Sequence, residues 1–262
     1  MWHNLRRLGR YRGLIQSLVA RELKARYRGS FLGFFWSFVN PLMLLSIYTF
    51  VFRYILENTE EKLRPFPLFM FCGLLPWTWF ASSLAEASGS LISGGNLIKK
   101  VLFPAEVLPI VSVLSNMVHF FLGLTILAGF MIWFRHMPDP ADLLFFPLIV
   151  AVQLVFTLAL SLFVAALTVH FRDIQSILGH LLHVWFFGSP ILYYYGDLSG
   201  RMRQILRFNP MTHILVSYQQ ALFEGSFHHG PGLLAAAAVA LVVFACGAWL
   251  FDRLRDTLAE EV

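Results

Sequence analysis

Six stretches of this chain are apolar for about the length a helix needs to cross a bilayer. They run over 32–52, 66–86, 105–134, 143–169, 174–195 and 232–251. A hydrocarbon core about 30 Å thick takes about 20 residues of α-helix. Lipid offers no partner for a free backbone N–H or C=O, so each stretch is expected to be helical. With 58% hydrophobic and 13% charged residues among 262, and a mean hydropathy of +0.66, the chain has too few polar groups to cover such an interior in water. The expected fold class is an all-α integral membrane protein with six transmembrane helices in one domain over 1–262. The third stretch is long enough to tilt or to run past the membrane. The fifth is the most polar, holding His180, His183 and Ser189-Pro190.

Lysine and arginine set the expected orientation. Eight lie between Arg6 and Arg28, and Lys99, Lys100, Arg172, Arg253 and Arg255 fall on the same side if six spans are counted. The other side receives Arg53, Lys62, Arg64, Arg135, Arg201, Arg203 and Arg207, together with Glu57, Glu60, Glu61, Asp139 and Asp142. The positive-inside rule then puts both termini in the cytoplasm. The net charge of +5 sits at the ends of apolar segments, where lipid headgroups meet it, and points to no nucleic acid. Cys72 and Cys246 lie inside apolar runs, without the number for a disulfide framework or the spacing of a metal site. The basic, polar start and the lack of a small-residue cleavage site lead us to expect no cleavable signal peptide.

Three further segments carry pattern. Over 12–30, Leu14, Ile15, Leu18, Val19, Leu23 and Tyr27 recur at helical spacing, with Arg12, Gln16, Arg21, Lys24 and Arg28 on the other faces. This predicts an amphipathic helix, too charged to span, that lies in the cytoplasmic interface, with a simple anchor or a solvated leader as the plainer reading. Over 196–230, Ser199 is a candidate cap for a short helix with Met202, Ile205 and Leu206. Asn209-Pro210 breaks it, and Thr212 is a candidate cap for a second helix with Ile214, Leu215, Tyr218, Ala221 and Leu222 on one face. Between the second and third stretches lies "SGGNLIKKVLFPAEVLPI". Its Gly94-Gly95 is not a phosphate loop, because the pattern G-x-x-x-x-G-K-[ST] is absent from the chain. The segment reads as a short surface helix from Asn96 to Phe103, stopped before Pro104, with Leu97, Ile98, Val101 and Leu102 on one side and Lys99 and Lys100 on the other. A connecting loop and a docking helix both fit that pattern.

Other chemistry is sparse. His180 and His183 share a helix face, yet no cysteine or carboxylate completes a zinc set. A polar helix contact or pore lining suits them better. His119, in mid-span, is a candidate proton site or an interhelical hydrogen bond. His228-His229 is a loop pair. No catalytic set can be assembled from the spacing. Aromatic residues make up 16% of the chain, enough for an interfacial belt and for rings along a conduit.

Five blocks carry a family resemblance: "LVARELKARYRGSFLGFFWSFVNPLMLLSIYTFVF" at 18–52, "GLLPWTWFASSL" at 73–84, "NLIKKVLFPAEVLPI" at 96–110, "HFRDIQSILGHLLHVWFFGSPILY" at 170–193 and "FNPMTHILVSYQQAL" at 208–222. In their order and spacing they resemble the membrane subunit of an ABC-2 type exporter of lipid-linked polysaccharide, the Wzm/TagG/KpsM group. The resemblance implies an interface helix at 12–30, a coupling helix at 93–104 seated in an ATPase subunit, and paired external gate helices at 197–223. It implies a second cytoplasmic turn marked by Arg172-Asp173, so that coupling falls to Asn96, Leu97, Ile98, Lys99, Lys100, Arg172 and Asp173. It implies a substrate channel along the first and fifth spans, with Phe35, Trp36, Tyr48, Trp185, Phe186 and Tyr193 as candidate lining. Two membrane chains and two ATPase chains would form the assembly. This chain would bind no cofactor and no metal itself, with ATP and magnesium acting in the partner. The alternatives weighed are export of a drug or small lipid, and an ion-coupled secondary transporter. The latter expects paired intramembrane carboxylates or inverted repeats, and neither is evident. A membrane-embedded glycan polymerase or transferase would need a catalytic set that the loop at 196–230, with Asp197 and Glu224, does not offer.

Overall fold

The structure, a computed structural model, describes residues 11–26, 28–31, 33–51, 63–98 and 103–261, with backbone alone at 34 and beyond 253. The described residues are helical with no strand: α1 (Arg12–Arg26), α2 (Trp36–Phe50), α3 (Phe66–Ser93), α4 (Gly95–Ile98), α5 (Val107–Phe134), α6 (Pro140–Leu143), α7 (Phe146–His170), α8 (Ile174–Phe187), α9 (Gly200–Arg207), α10 (Pro210–Gln219) and α11 (Gly230–Glu261). A π-helical turn, Gln220–Glu224, extends α10. Lys99 and Lys100, Tyr27, and residues 52–62 lie outside the described residues.

Four elements are long and apolar enough to cross a membrane: α3, α5, α6 with α7, and the first 24 residues of α11. The other two expected spans are shorter than the apolar runs. α2 has 15 residues and α8 has 14, about 22 and 21 Å at 1.5 Å per residue. α8 stops at Phe187 and not at 195, because Gly188-Ser189-Pro190 turns the chain.

Burial ranks the long helices. In α3, 78% of the most apolar window is buried inside the protein, against 22% in α5 and in α11. α3 is therefore the central post, and α5 and α11 turn most of their surface outward. α3 packs on α2, α5, α7, α8 and α10. Its proline is braced: Gln153 of α7, fully buried, donates to the Pro76 carbonyl at 2.7 Å. Trp79 Nε1 donates to the Val113 carbonyl at 3.2 Å and ties α3 to α5. α7 and α11 meet at a glycine. A Cβ at Gly247 would sit 2.8 Å from the Ala159 carbonyl oxygen, so the two backbones touch where a side chain would separate them.

The expected amphipathic helix forms over 12–26. Leu18 buries against Val107 and Val111, with Leu14, Ile15 and Val19 around it. The short helices at 200–219 form as well, with different caps. Ser199 makes no capping bond. Asn209, not Thr212, caps α10: its Oδ1 accepts from Met211 N at 3.0 Å, and Thr212 Oγ1 is buried without a partner. Pro210 explains the shift, since proline suits the first helical position directly after a cap. α10 is buried on all sides from Met211 to Gln219.

Candidate functional site

Three groups of expected site residues fall in three places. At one end of the bundle, α3 turns into the insert. Among its described residues the helix is α4, Gly95–Ile98, and Phe103 is non-helical; Lys99, Lys100, Val101 and Leu102 lie outside the described residues. Leu97 and Ile98 pack inward, against a cluster of Leu91, Ala105, Leu108, Leu162, Val169 and Phe251. Their apolar face covers the protein's own core, while Asn96 is exposed beside them. Arg172 and Asp173 are exposed in the turn between α7 and α8, at the same end, where the Gln175 side chain packs over Gly89 of α3. Lys99 and Lys100 lie outside the described residues.

Close to that end the structure holds a polar cluster that the sequence reading missed. Arg26, the last residue of α1, donates from Nη2 to Glu86 Oε2 at 2.6 Å and from Nη1 to Asn116 Oδ1 at 3.2 Å. Asn116 Nδ2 donates to the same Glu86 oxygen at 2.7 Å. One carboxylate thus joins α1, α3 and α5. The signal was available, because Glu86 is a carboxylate at the last position of the apolar run over 66–86. The cluster borders a cavity of about 460 Å³, lined also by Trp36, Asn40, Thr78, Ser82 and His119. Trp36 Nε1 donates to Ser30 Oγ at 3.0 Å. His119 Nδ1 donates to the Ser115 carbonyl at 2.9 Å, so mid-span His119 is held by its own helix.

A second cavity, about 350 Å³, continues the first between α2, α3 and α8; both are bordered by Leu44, Thr78 and Ser82. Tyr48 and Phe186 line it and stack with ring centroids 5.6 Å apart. Trp77 meets Phe186 edge-on at 5.8 Å. The two cavities make a trough along α2 and α3, walled by aromatic rings and floored by hydroxyls. Of the six expected lining residues, Trp36, Tyr48 and Phe186 border it. Trp185 points away into Trp77, Phe80 and Phe156, with its Nε1 bonded to Asn209 Oδ1 at 2.9 Å. Phe35 is exposed outside the trough, and Tyr193 donates its hydroxyl to the Phe187 carbonyl at 3.3 Å, past the end of α8. His180 and His183 are both exposed on α8, and His183 lines the trough.

The residues from Phe187 to α10 are gathered by Asn209. Its Oδ1 accepts from Met211 N and Trp185 Nε1, while its Nδ2 donates to the Gly188 carbonyl at 3.0 Å and Ser189 Oγ at 3.2 Å. The break after α8 and the start of α10 are one unit. That unit sits at the opposite end from the insert, where His136, after α5, donates from Nε2 to the Phe223 carbonyl at 2.6 Å.

This architecture has relatives. The chain is 39% identical over 260 residues, 98% of its own length and 98% of the relative's, to the O-antigen export system permease protein RfbA of Myxococcus xanthus. It is 28% identical to the protein of the same name from Klebsiella pneumoniae, over 97% of this chain and 96% of that one. It is 22% identical to the polysialic acid transport protein KpsM of Escherichia coli, over 93% and 94%. The family model described as ABC-2 type transporter matches residues 13–223. With that model spanning most of the chain, the protein belongs to the ABC-2 type transporter family.

Proposed function

We propose that this chain is the membrane subunit of an ATP-driven exporter that moves an undecaprenyl-linked polysaccharide, foremost an O-antigen and otherwise a capsule polysaccharide or teichoic acid, across the cytoplasmic membrane. The observation that carries this reading is the end-to-end likeness to an O-antigen export permease, covering 98% of both chains. The trough supports it. Sugar rings present C–H faces to aromatic side chains, and such contacts are modest, about 0.5–1.5 kcal/mol for ring pairs. A conduit for a long, hydrated polymer needs weak, repeated contacts, because tight binding at one point would stall the chain.

In this reading all six apolar stretches span, with both termini in the cytoplasm. α2 and α8, about 8–9 Å short of a 30 Å core, cross with the help of flanking residues or a locally thinner bilayer. Two copies of the chain pair through the apolar side chains left exposed on α2 (Met43, Ile47, Phe50) and α8 (Ile177, Leu181, Val184), which closes the trough into a conduit. ATP and magnesium act in a separate subunit. That subunit docks at the insert end, where Asn96, Arg172 and Asp173 are exposed and Lys99 and Lys100 follow in sequence.

The test is deletion of the gene, with chemical identification of the glycan retained inside the cell. Loss of one surface polysaccharide and its internal accumulation is the expected result. Unchanged surface glycans would overturn the reading.

A further inference from the structure

A third cavity, about 830 Å³, opens at the end of the bundle away from the insert. Its size falls within the range of about 300–1,000 Å³ typical of ligand pockets. Residues 194–196, α9, the turn after α10 and the first residues of α11 enclose it.

Its floor is fixed. His213 Nε2 lies 2.8 Å from the Arg207 carbonyl, which only accepts, so that nitrogen carries the proton. His213 Nδ1 and His229 Nε2 share a hydrogen bond at 2.8 Å, and the two rings stack at 5.1 Å. Gly232 faces the pair, and any Cβ there would run into both rings. Gln220 Oε1 accepts the backbone N–H of His228 at 3.0 Å and of His229 at 2.9 Å. Burial, with His213 adding to it, pushes His229 down to about 4, so it is uncharged near neutrality.

Two arginines bring permanent positive charge to the rim. Arg203 and Arg207 are one turn apart on α9 and both line the cavity. The Arg203 guanidinium lies 5.7 Å over the Tyr195 ring. The carboxylate in the lining, Glu224, is engaged by Gln220 and Tyr194. Beside this rim Met202, Ile205 and Phe208 are 56%, 62% and 86% exposed. α9 thus has the amphipathic character of a helix that lies in a membrane interface, and it stands level with the end of α8 and the start of α11.

Three chemistries adjoin here: an apolar flank, a pair of guanidiniums, and a recess of tyrosines and amides. We propose that this cavity binds the phosphate–sugar junction of a lipid-linked glycan as it leaves the conduit. The lipid lies along Met202, Ile205 and Phe208, the phosphate sits between Arg203 and Arg207, and the first sugar enters the recess beside Tyr194 and Gln204. A phospholipid would leave the recess empty, and a free glycan would leave the apolar flank bare. The proposal rests on the export reading above.

The full chain, in nanodiscs of phosphatidylcholine, is offered three probes: undecaprenyl diphosphate bearing one N-acetylglucosamine, undecaprenyl diphosphate alone, and phosphatidylglycerol. Retention is read by native mass spectrometry. The glycosylated probe is expected to bind tightest. Arg203→Gln with Arg207→Gln weakens both diphosphates at least about tenfold, because each guanidinium gives up a charge-assisted contact. Gln204→Ala weakens the glycosylated probe alone, about threefold. These three side chains are exposed, and an unchanged size-exclusion profile verifies folding. Unaltered binding by the double variant overturns the proposal. So does equal retention of phosphatidylglycerol with equal loss on mutation, which would make α9 a plain bilayer anchor, or equal binding of the two diphosphates, which would empty the recess of sugar. If gene deletion abolishes surface polysaccharide while the double variant binds all probes as wild type, this inference alone fails. If deletion leaves the surface polysaccharide intact, the export reading fails.

Discussion

Arg26 and Glu86 meet at 2.6 Å, and the same carboxylate oxygen accepts from Asn116 at 2.7 Å. The pair links the end of the interface helix to the central post of the bundle. A force applied to α1 therefore reaches α3 and α5 through polar bonds as well as through Leu18.

Breaking the pair from either side should cost stability. Glu86→Ala leaves the Arg26 guanidinium and the Asn116 amide without their shared acceptor. Removing one partner of a fully buried pair costs about 3–5 kcal/mol. These side chains are 26% and 35% exposed, so about 1–2 kcal/mol is expected after solvent screening. Thermal unfolding of the purified chain in detergent measures it. Transport in the assembled complex should fall further than stability does if the link carries motion. A variant equal to wild type in both readouts would show the pair to be idle.

Tyr48 and Phe186 line the trough face to face, whereas Ile132 is exposed on α5 away from it. Tyr48→Ala should lower polysaccharide export several-fold while ATP turnover by the complex persists. Ile132→Ala should leave both unchanged. Surface glycan against ATP hydrolysis is the measurement. Equal effects at the two positions would assign the rings to packing.

Gly247 and Gly129 separate crowding from glycine content. A Cβ at 247 meets the Ala159 carbonyl oxygen, which is backbone and cannot turn aside, whereas one at 129 meets nothing within 4 Å. Gly247→Ala should destabilise by about 1–3 kcal/mol. Gly129→Ala, in a helix interior, should be neutral or stabilising by up to about 1 kcal/mol. Unfolding midpoints of the two variants decide this, and the reverse order would show that α7 and α11 do not meet at Gly247.

His229 supplies a pH dependence. Its folded value is about 4 against an ordinary 6.5. The unfolded segment binds the proton first, so this contribution to stability is complete above about pH 6.5 and declines as pH falls toward 4. Protection factors over 225–235, with the intrinsic pH dependence of amide exchange divided out, should fall across that window. His229→Asn should remove the acid-dependent part. Protection factors that stay flat from pH 7 to 4 in the wild type would contradict the assignment.

The apolar periodicity was enough to place the long helices. α3, α5, α7 and α11 begin within three residues of the expected stretches, except that α3 and α11 run on past their apolar ends, because lipid forces the backbone to satisfy itself within each helix. The amphipathic helix at 12–26 and the proline break after Asn209 were legible for the same reason: each is a local property of spacing and of residues that permit or forbid helix. What no spacing revealed is which side chains meet across helices. Trp185 and Phe186 are neighbours on one helix, yet the fold turns one into the core to bond Asn209 and the other into the trough to stack on Tyr48. Spacing put Leu97 and Ile98 on one side of a short helix without saying what that side meets, and in the bundle they pack inward. Arg26, Glu86 and Asn116 are separated by 60 and 30 residues and share one oxygen. Helix formation answers to nearest neighbours and to the solvent. Helix rotation and partner choice answer to the close packing of all the others, and so only the tertiary structure decided them.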